Sequence, residues 1–252
     1  MGHFVYEYEK GVDMAEMLLA EKPNDWHSVT ARHLGISRGD CKSINYGLIY
    51  GAQASKVAKM LNVSIEEGTD IYNGAWDAMP ALKAKKSDVE YEWERNNKKF
   101  IRTIDGRKIF VRSKHSLLNF LFQSAGVVCA KYANVFMNEI LEKQGLINNP
   151  FKGKPDVCNM IEYHDEADFA CRTDLFEYEF FKSKEEAKEF QDSWSGAQLS
   201  EIGHIDDIYF IAKPNVVSLA MNEAVNKVNE KFNLKVPLAT NWQVGRNWAQ
   251  CH

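Results

Sequence analysis

The feature that most constrains the fold is a change of hydrophobic period along the chain. Up to about residue 97 apolar residues recur at helical spacing between breakers; beyond it, helical and alternating stretches are mixed. The spacing predicts helices over 12–21 and 26–34, parted by Pro23-Asn24-Asp25, the second ending at Gly35. A third runs from Ser37, with Asp40 three residues on as a weak capping box, to about Tyr50 before Gly51. More helix is expected over 54–61, 65–76 and 79–97. Residues 100–111 read as a hairpin turning at Asp105-Gly106, and 116–144 as one long helix closed by Gly145. Residues 157–171 alternate as a strand pair interrupted by Asp165-Glu166, with Ile161 and Tyr163 on one face and Glu162 and His164 on the other. Residues 173–212 read as an acidic, irregular insertion with a helix at 183–193. Pro214 opens a last helix to about Phe232, and 241–252 form a terminal strap. The expected class is α+β.

Composition sets the outer bounds. A chain of 252 residues with 45% hydrophobic and 12% aromatic content can bury a sizeable core. No run approaches the eighteen apolar residues of a membrane span, and the first residues lack a secretory pattern, so a cytoplasmic location without membrane partners is expected. The 5 cysteines are odd in number and form no C-x-x-C pair, which predicts reduced thiols and no structural zinc. The net charge of −4 conceals an uneven distribution. From Arg95 to His115 eight Lys or Arg face Asp105 alone, with Phe100 and Phe110 interleaved, a pattern suited to phosphate contacts or simply to a solvated face. From Glu162 to Asp207 the bias reverses, with fourteen carboxylates and four cations. That stretch would repel a polyanion unless some carboxylates held metal ions.

Arg38, Lys42, Tyr46 and Tyr50 stand four apart within S-R-G-D-C-K-S-I-N-Y-G-L-I-Y-G. Each step of four overshoots a full turn by about 40°, so the four form a slowly drifting stripe about 18 Å long. Cys41, Ile44 and Leu48 supply an apolar face elsewhere. Two cations followed by two phenol rings suit a nucleoside triphosphate lying along the helix. The other reading is an exposed amphipathic helix whose tyrosines cover neighbouring core.

The pattern R-x3-K-x3-Y-G-x2-Y-G resembles the fingers-helix motif of family A, Pol I-like, DNA polymerases. By that resemblance Arg38 and Lys42 would hold the incoming triphosphate, with Lys42 placed to protonate the departing pyrophosphate. Tyr46 would pack on the sugar and base, and Tyr50 would guard the templating position. Its hydroxyl would let Tyr46 replace a contact made through the nucleotide's 3′-hydroxyl, so dideoxynucleotides should be accepted. His27, in D-W-H, matches a phosphate-touching histidine of the preceding helix. Tyr163-His164-Asp165-Glu166 resembles the family's second catalytic motif. The resemblance implies Asp165 as a Mg²⁺ ligand with Glu166 supporting it, and His164 as a primer contact. T-I-D-G-R-K, containing Arg107 and Lys108, and L-L-N-F-L-F-Q-S-A-G, containing Asn119 and Gln123, are similar to segments that grip the primer-template duplex. The two amides suit minor-groove acceptors. The ending N-W-A-Q-C-H is similar to that of phage replicative members.

The resemblance implies a right-hand polymerase fragment, with helical fingers over 1–97 and an antiparallel-sheet palm over 98–252 that lacks its first catalytic strand. A separate N-terminal polypeptide is then the expected partner, supplying the first catalytic aspartate, the thumb and an exonuclease and completing a two-metal Mg²⁺ site. Primer-template DNA and dNTP are the other expected partners. Two alternatives remain: a single-subunit RNA polymerase fragment, which Glu166, T-I-D-G-R-K and Q-S-A-G fit less well, and a non-catalytic DNA-binding remnant.

Overall fold

The structure is a computed structural model that describes residues 1–147, 156–163 and 166–251. Helices and small antiparallel sheets combine as an α+β fold, and the chain divides into two compact units. One comprises Met1–Val128 with Leu234–Val236, the other Cys129–Asn233 with Pro237–His252.

The first unit begins with a short helix, α1 (Gly2–Val5), which the sequence pattern does not announce. It continues through α2 (Gly11–Leu19), α3 (Trp26–Leu34), α4 (Arg38–Ile49), α5 (Ala54–Leu61), α6 (Ile65–Asp77) and α7 (Pro80–Arg95). Local chemistry sets several of the starts. Ser37 Oγ accepts the Asp40 N–H at 3.1 Å ahead of α4, Ser64 Oγ accepts the Glu67 N–H at 3.1 Å ahead of α6, and Pro80 occupies the first turn of α7. The expected apolar face of α4 is inside: Cys41 and Ile44 are 0% exposed and Leu48 2%. Ile44 and Leu48 pack with Val5, Trp26, Trp76, Met79 and Leu82, and full burial of such a side chain contributes roughly 1.5–3 kcal/mol. The Trp26 indole N–H finds Met79 Sδ at 3.3 Å inside this core.

Gly51, with φ +87°, ends α4. A Cβ there would stand 2.2 Å from the His115 carbonyl oxygen, so only glycine lets this chain reversal lie against the segment leading into α8 (Leu117–Lys143). Strands β1 (Phe100–Arg102) and β2 (Lys108–Phe110) form the expected hairpin in the register Phe100↔Phe110, Ile101↔Ile109, Arg102↔Lys108. Gly106, at φ +82°, takes the left-handed turn position. Ile101 is 0% exposed and packs with Val89, Trp93, Val111, Leu117 and Leu121. The Trp93 indole donates to the Val111 carbonyl at 3.0 Å, tying the hairpin to α7.

In the second unit, β3 (Val157–Tyr163) and β4 (Glu166–Cys171) pair antiparallel from Val157↔Cys171 to Tyr163↔Glu166. The register shifts between Asn159 and Ile161, and Met160 at that bulge and Ile161 and Tyr163 beyond it are all exposed. Residues 173–212 are not irregular. They contain β5 (Tyr178–Phe181), α9 (Lys184–Ser193), β6 (Gly203–Ile205) and β7 (Ile208–Ala212), with the three strands paired in the order β5-β7-β6. Ala187, Leu199 and Ile211 are buried there among Phe181, Phe190 and Trp194. Carboxylates such as Glu177, Glu185 and Glu189 take the exposed positions, and their abundance masks the apolar positions beneath. Helix α10 (Val216–Lys231) starts at a reciprocal cap between Asn215 and Ser218 and packs against Met137, Ile140, Leu141 and Val157. The terminal segment is a strap, as expected: the Trp242 indole donates to the Gln198 carbonyl at 3.2 Å and the Trp242 carbonyl accepts from Glu201 N–H at 2.9 Å. No described helix is long and apolar enough to cross a membrane.

Candidate functional site

The outward face of α4 carries the predicted stripe. Arg38 is partly exposed, Lys42 is exposed without an ion pair among the described residues, and Tyr46 and Tyr50 are 46% and 57% exposed. From α3, His27 lies with its ring centroid 5.4 Å from that of Tyr46 and its Nδ1 3.2 Å from Asn45 Nδ2. A cleft of about 330 Å³ opens beside these groups, lined among others by Asp25, His27, Tyr46, Tyr50, Phe122 and Gln123. That volume is in the range of small-molecule sites. The Gln123 amide, from α8, donates to the Tyr50 hydroxyl at 3.0 Å, so residues far apart in sequence meet at one edge of the cleft.

Arg38, which does not itself line the cleft, pairs with Asp25, which does. Its Nη2 donates to Asp25 Oδ2 at 2.6 Å and its Nε lies 3.3 Å from Asp25 Oδ1 and 3.2 Å from Ser28 Oγ. The Arg38 hydrogen bond, followed by that from Ser28, holds the Asp25 carboxyl well below the usual carboxylate range, and Asp25 in turn raises Arg38. Burial lowers the His27 pKa; the positive charges of Arg38 and Lys42 lower it further against the opposing pull of Asp25. These effects favour the neutral imidazole. Asn45 is 0% exposed, and its Oδ1 has no hydrogen-bond partner among the described residues. Chemically, one end of the face offers donors to a polyanion and the other offers flat rings to a sugar or base.

The predicted duplex-contacting residues divide between turn and helix. Arg107 bonds Asp105 within the hairpin turn yet keeps 63% side-chain exposure, and Lys108 Nζ sits 4.7 Å from the centroid of the Phe100 ring. Both remain open to solvent. Ser124, one residue beyond Gln123, donates to Thr103 Oγ1 at 3.1 Å and so links the hairpin base to α8. Asn119 is only partly buried, but its Oδ1 is enclosed without a partner among the described residues.

In the predicted second catalytic motif, His164, the expected primer contact, and Asp165, the expected metal ligand, lie outside the described residues. Glu166 is exposed and stands opposite Tyr163 at the last described pair of the β3–β4 hairpin. Carboxylate oxygens are the donor type a hard divalent cation takes. Yet no group of three or more His, Cys, Asp or Glu among the described residues is gathered closely enough to hold a metal ion. Asp168, also on β4, and Glu166 both raise the Cys251 thiol, though burial is the larger cause, so the C-terminal strap lies near this hairpin.

Sequence reasoning missed Asp25, Ser28 and Asn45. Asp25 precedes α3 where an aspartate reads as a helix cap, but it makes no capping hydrogen bond and is given over to Arg38 instead. Asn45 falls on the buried side of α4, where a polar residue four positions from Cys41 was the available signal.

No protein-family model matches the chain. Over its full length it is 26% identical to the DNA-directed DNA polymerase of Enterobacteria phage T3 and 25% identical to that of Escherichia phage T7. It spans 31% of the length of each of these curated relatives. Among solved structures it resembles the POL domain of Pol1 from M. smegmatis, in complex with DNA primer-template and dNTP. That likeness has a TM-score of 0.57 at 17% identity and covers 88% of this chain and 35% of the other. The fold is that of a right-hand polymerase domain. In sequence the chain is thus similar to a portion of phage DNA-directed DNA polymerases, and in fold to a Pol I polymerase domain.

Proposed function

We propose that this chain forms the nucleotide-binding and part of the catalytic portion of a template-directed DNA polymerase. The helices up to residue 97 serve as fingers and residues 98–252 as part of the palm. The observation that carries the reading is the α4 face, where Arg38, Lys42 and Tyr46 follow one another with the His27 ring 5.4 Å from Tyr46 beside an open cleft. The triphosphate of an incoming dNTP lies against Arg38, Lys42 and His27, and its sugar and base lie against Tyr46. Lys42 neutralises the leaving pyrophosphate and hands it a proton. Tyr50 and Gln123 border the templating position. Arg107 and Lys108 contact the duplex backbone, and Asn119 and Gln123 face the minor groove, where amides test pair shape without reading sequence.

Asp165 and Glu166 are the carboxylates that would hold Mg²⁺, with His164 touching the primer strand. There Mg²⁺ would, when bound, supply activation of the primer hydroxyl and charge stabilisation of the leaving oxygen. Further carboxylate ligands, the thumb and an exonuclease come from polypeptide outside this sequence. The 31% share of the relatives' length supports that part of the reading. As a phage polymerase portion, the chain acts in the host cytoplasm.

Primer extension tests this directly. The isolated chain should extend a labelled primer at background level, and addition of a polypeptide carrying the upstream polymerase motifs should restore synthesis that Lys42→Ala abolishes. Robust extension by the isolated chain would defeat the split arrangement. Full activity of the assembled Lys42→Ala enzyme would defeat the nucleotide assignment.

A further inference from the structure

We propose that Asp25 is a positioning residue for Arg38, a role that rests on the nucleotide reading of α4 given above. The Asp25 side chain is 13% exposed and takes Arg38 side-on, through Nη2 at 2.6 Å and Nε at 3.3 Å. Ser28, itself 8% exposed, donates to the same carboxylate and stands 3.2 Å from Arg38 Nε. A guanidinium has five N–H donors in a rigid plane. The side-on grip uses Nε and one hydrogen of Nη2, and neither hydrogen of Nη1 has a partner among the described residues. An anion can therefore take the Nη1 side without breaking the pair.

The alternative is a latch, in which Asp25 and phosphate compete for the same donors. The geometry argues against competition, because the carboxylate occupies one edge of the fork and leaves another open. The two ideas predict opposite signs. A positioning carboxylate fixes a side chain that would otherwise sample many rotamers, so its removal weakens triphosphate binding; removal of a latch strengthens it.

The test is calorimetric titration of the full chain with dATP and, as a phosphate-free control, with deoxyadenosine. Asp25→Asn keeps the side-chain shape but replaces one acceptor oxygen with a donor. It should weaken dATP about tenfold and leave deoxyadenosine unchanged. Arg38→Ala should weaken dATP at least as much, and the double variant should be no weaker than Arg38→Ala alone, since a positioning effect vanishes with the group positioned. General damage to the fold would instead add to the Arg38→Ala loss and lower deoxyadenosine binding. Should Asp25→Asn fold poorly by circular dichroism, Ser28→Ala carries the same comparison with an expected loss of roughly threefold. Unchanged or tighter dATP binding by Asp25→Asn, with Arg38→Ala and Lys42→Ala both weakened, would overturn the inference and leave the nucleotide site standing. Unchanged binding in Lys42→Ala and Arg38→Ala would overturn the nucleotide reading itself, and the inference with it.

Discussion

His27 is where acidity reaches the site. Its folded pKa is lowered by burial, then by Arg38 and Lys42, while Asp25 pulls the other way. The unfolded chain consequently binds a proton near the ordinary histidine value of about 6.5 that the folded chain resists, so stability is complete above that value and falls as pH drops below it. His3, also lowered mainly by burial, acts with the same sign. Thermal unfolding from pH 7 to pH 5 should show a falling Tm, and His27→Gln should flatten the slope; an unaltered slope would mean the imidazole is not held neutral. Asp25 acts with the same sign, in a lower pH window. Its depressed carboxyl contributes stability above about pH 3.8, and this is lost only on stronger acidification. A second residue-scale prediction concerns Tyr46. In the assembled enzyme Tyr46→Phe should raise discrimination against dideoxynucleotides by roughly tenfold or more, read by competition with normal nucleotides in primer extension. The stripe Arg38, Lys42, Tyr46 was legible in sequence because helical spacing alone puts those residues on one side. Asp25 and Asn45 were not, because their partners come from another helix and no local pattern announces a contact across a helix pair.

Among the elements, boundaries followed local chemistry closely where a cap was present. Ser37 and Ser64 start α4 and α6 by accepting from the third residue on, and the expected hairpin turns at Gly106. The three-stranded sheet within 173–212 escaped detection for a physical reason. Phe181 faces α9 and its neighbours, whereas Phe180 is 67% exposed, so apolar residues occupy both sides of β5 and no clean alternation results. The α4 terminus supplies a graded test. Ser37→Ala removes one cap bond and should cost about 1 kcal/mol. Gly51→Ala sets a Cβ against the His115 carbonyl at positive φ and should cost on the order of 3 kcal/mol. Chemical denaturation of both variants measures the difference. A Gly51→Ala variant as stable as the parent would mean that the α4 reversal is not built as described.

For the whole molecule, the net charge of −4 makes any duplex binding a matter of local distribution. Binding should weaken with salt, and replacing Arg107 and Lys108 with alanine should reduce the log–log salt slope by about one for each phosphate no longer neutralised. Fluorescence titration of a labelled primer-template across a salt series reads this; an unchanged slope would place the duplex elsewhere. The acidic segment has a different bearing. The Lys213 N–H donates to the Glu177 carbonyl at 2.8 Å, while the Lys213 ammonium reaches Glu177 at 2.9 Å and Glu179 at 2.8 Å. Its incoming and outgoing strands thus meet at a sealed neck. Because the ends of such a loop are already joined, lengthening what hangs from them is inexpensive, about 0.6 kcal/mol for each doubling. Insertions or deletions in that appendage beyond the neck should therefore leave the register of β3 and β4 intact.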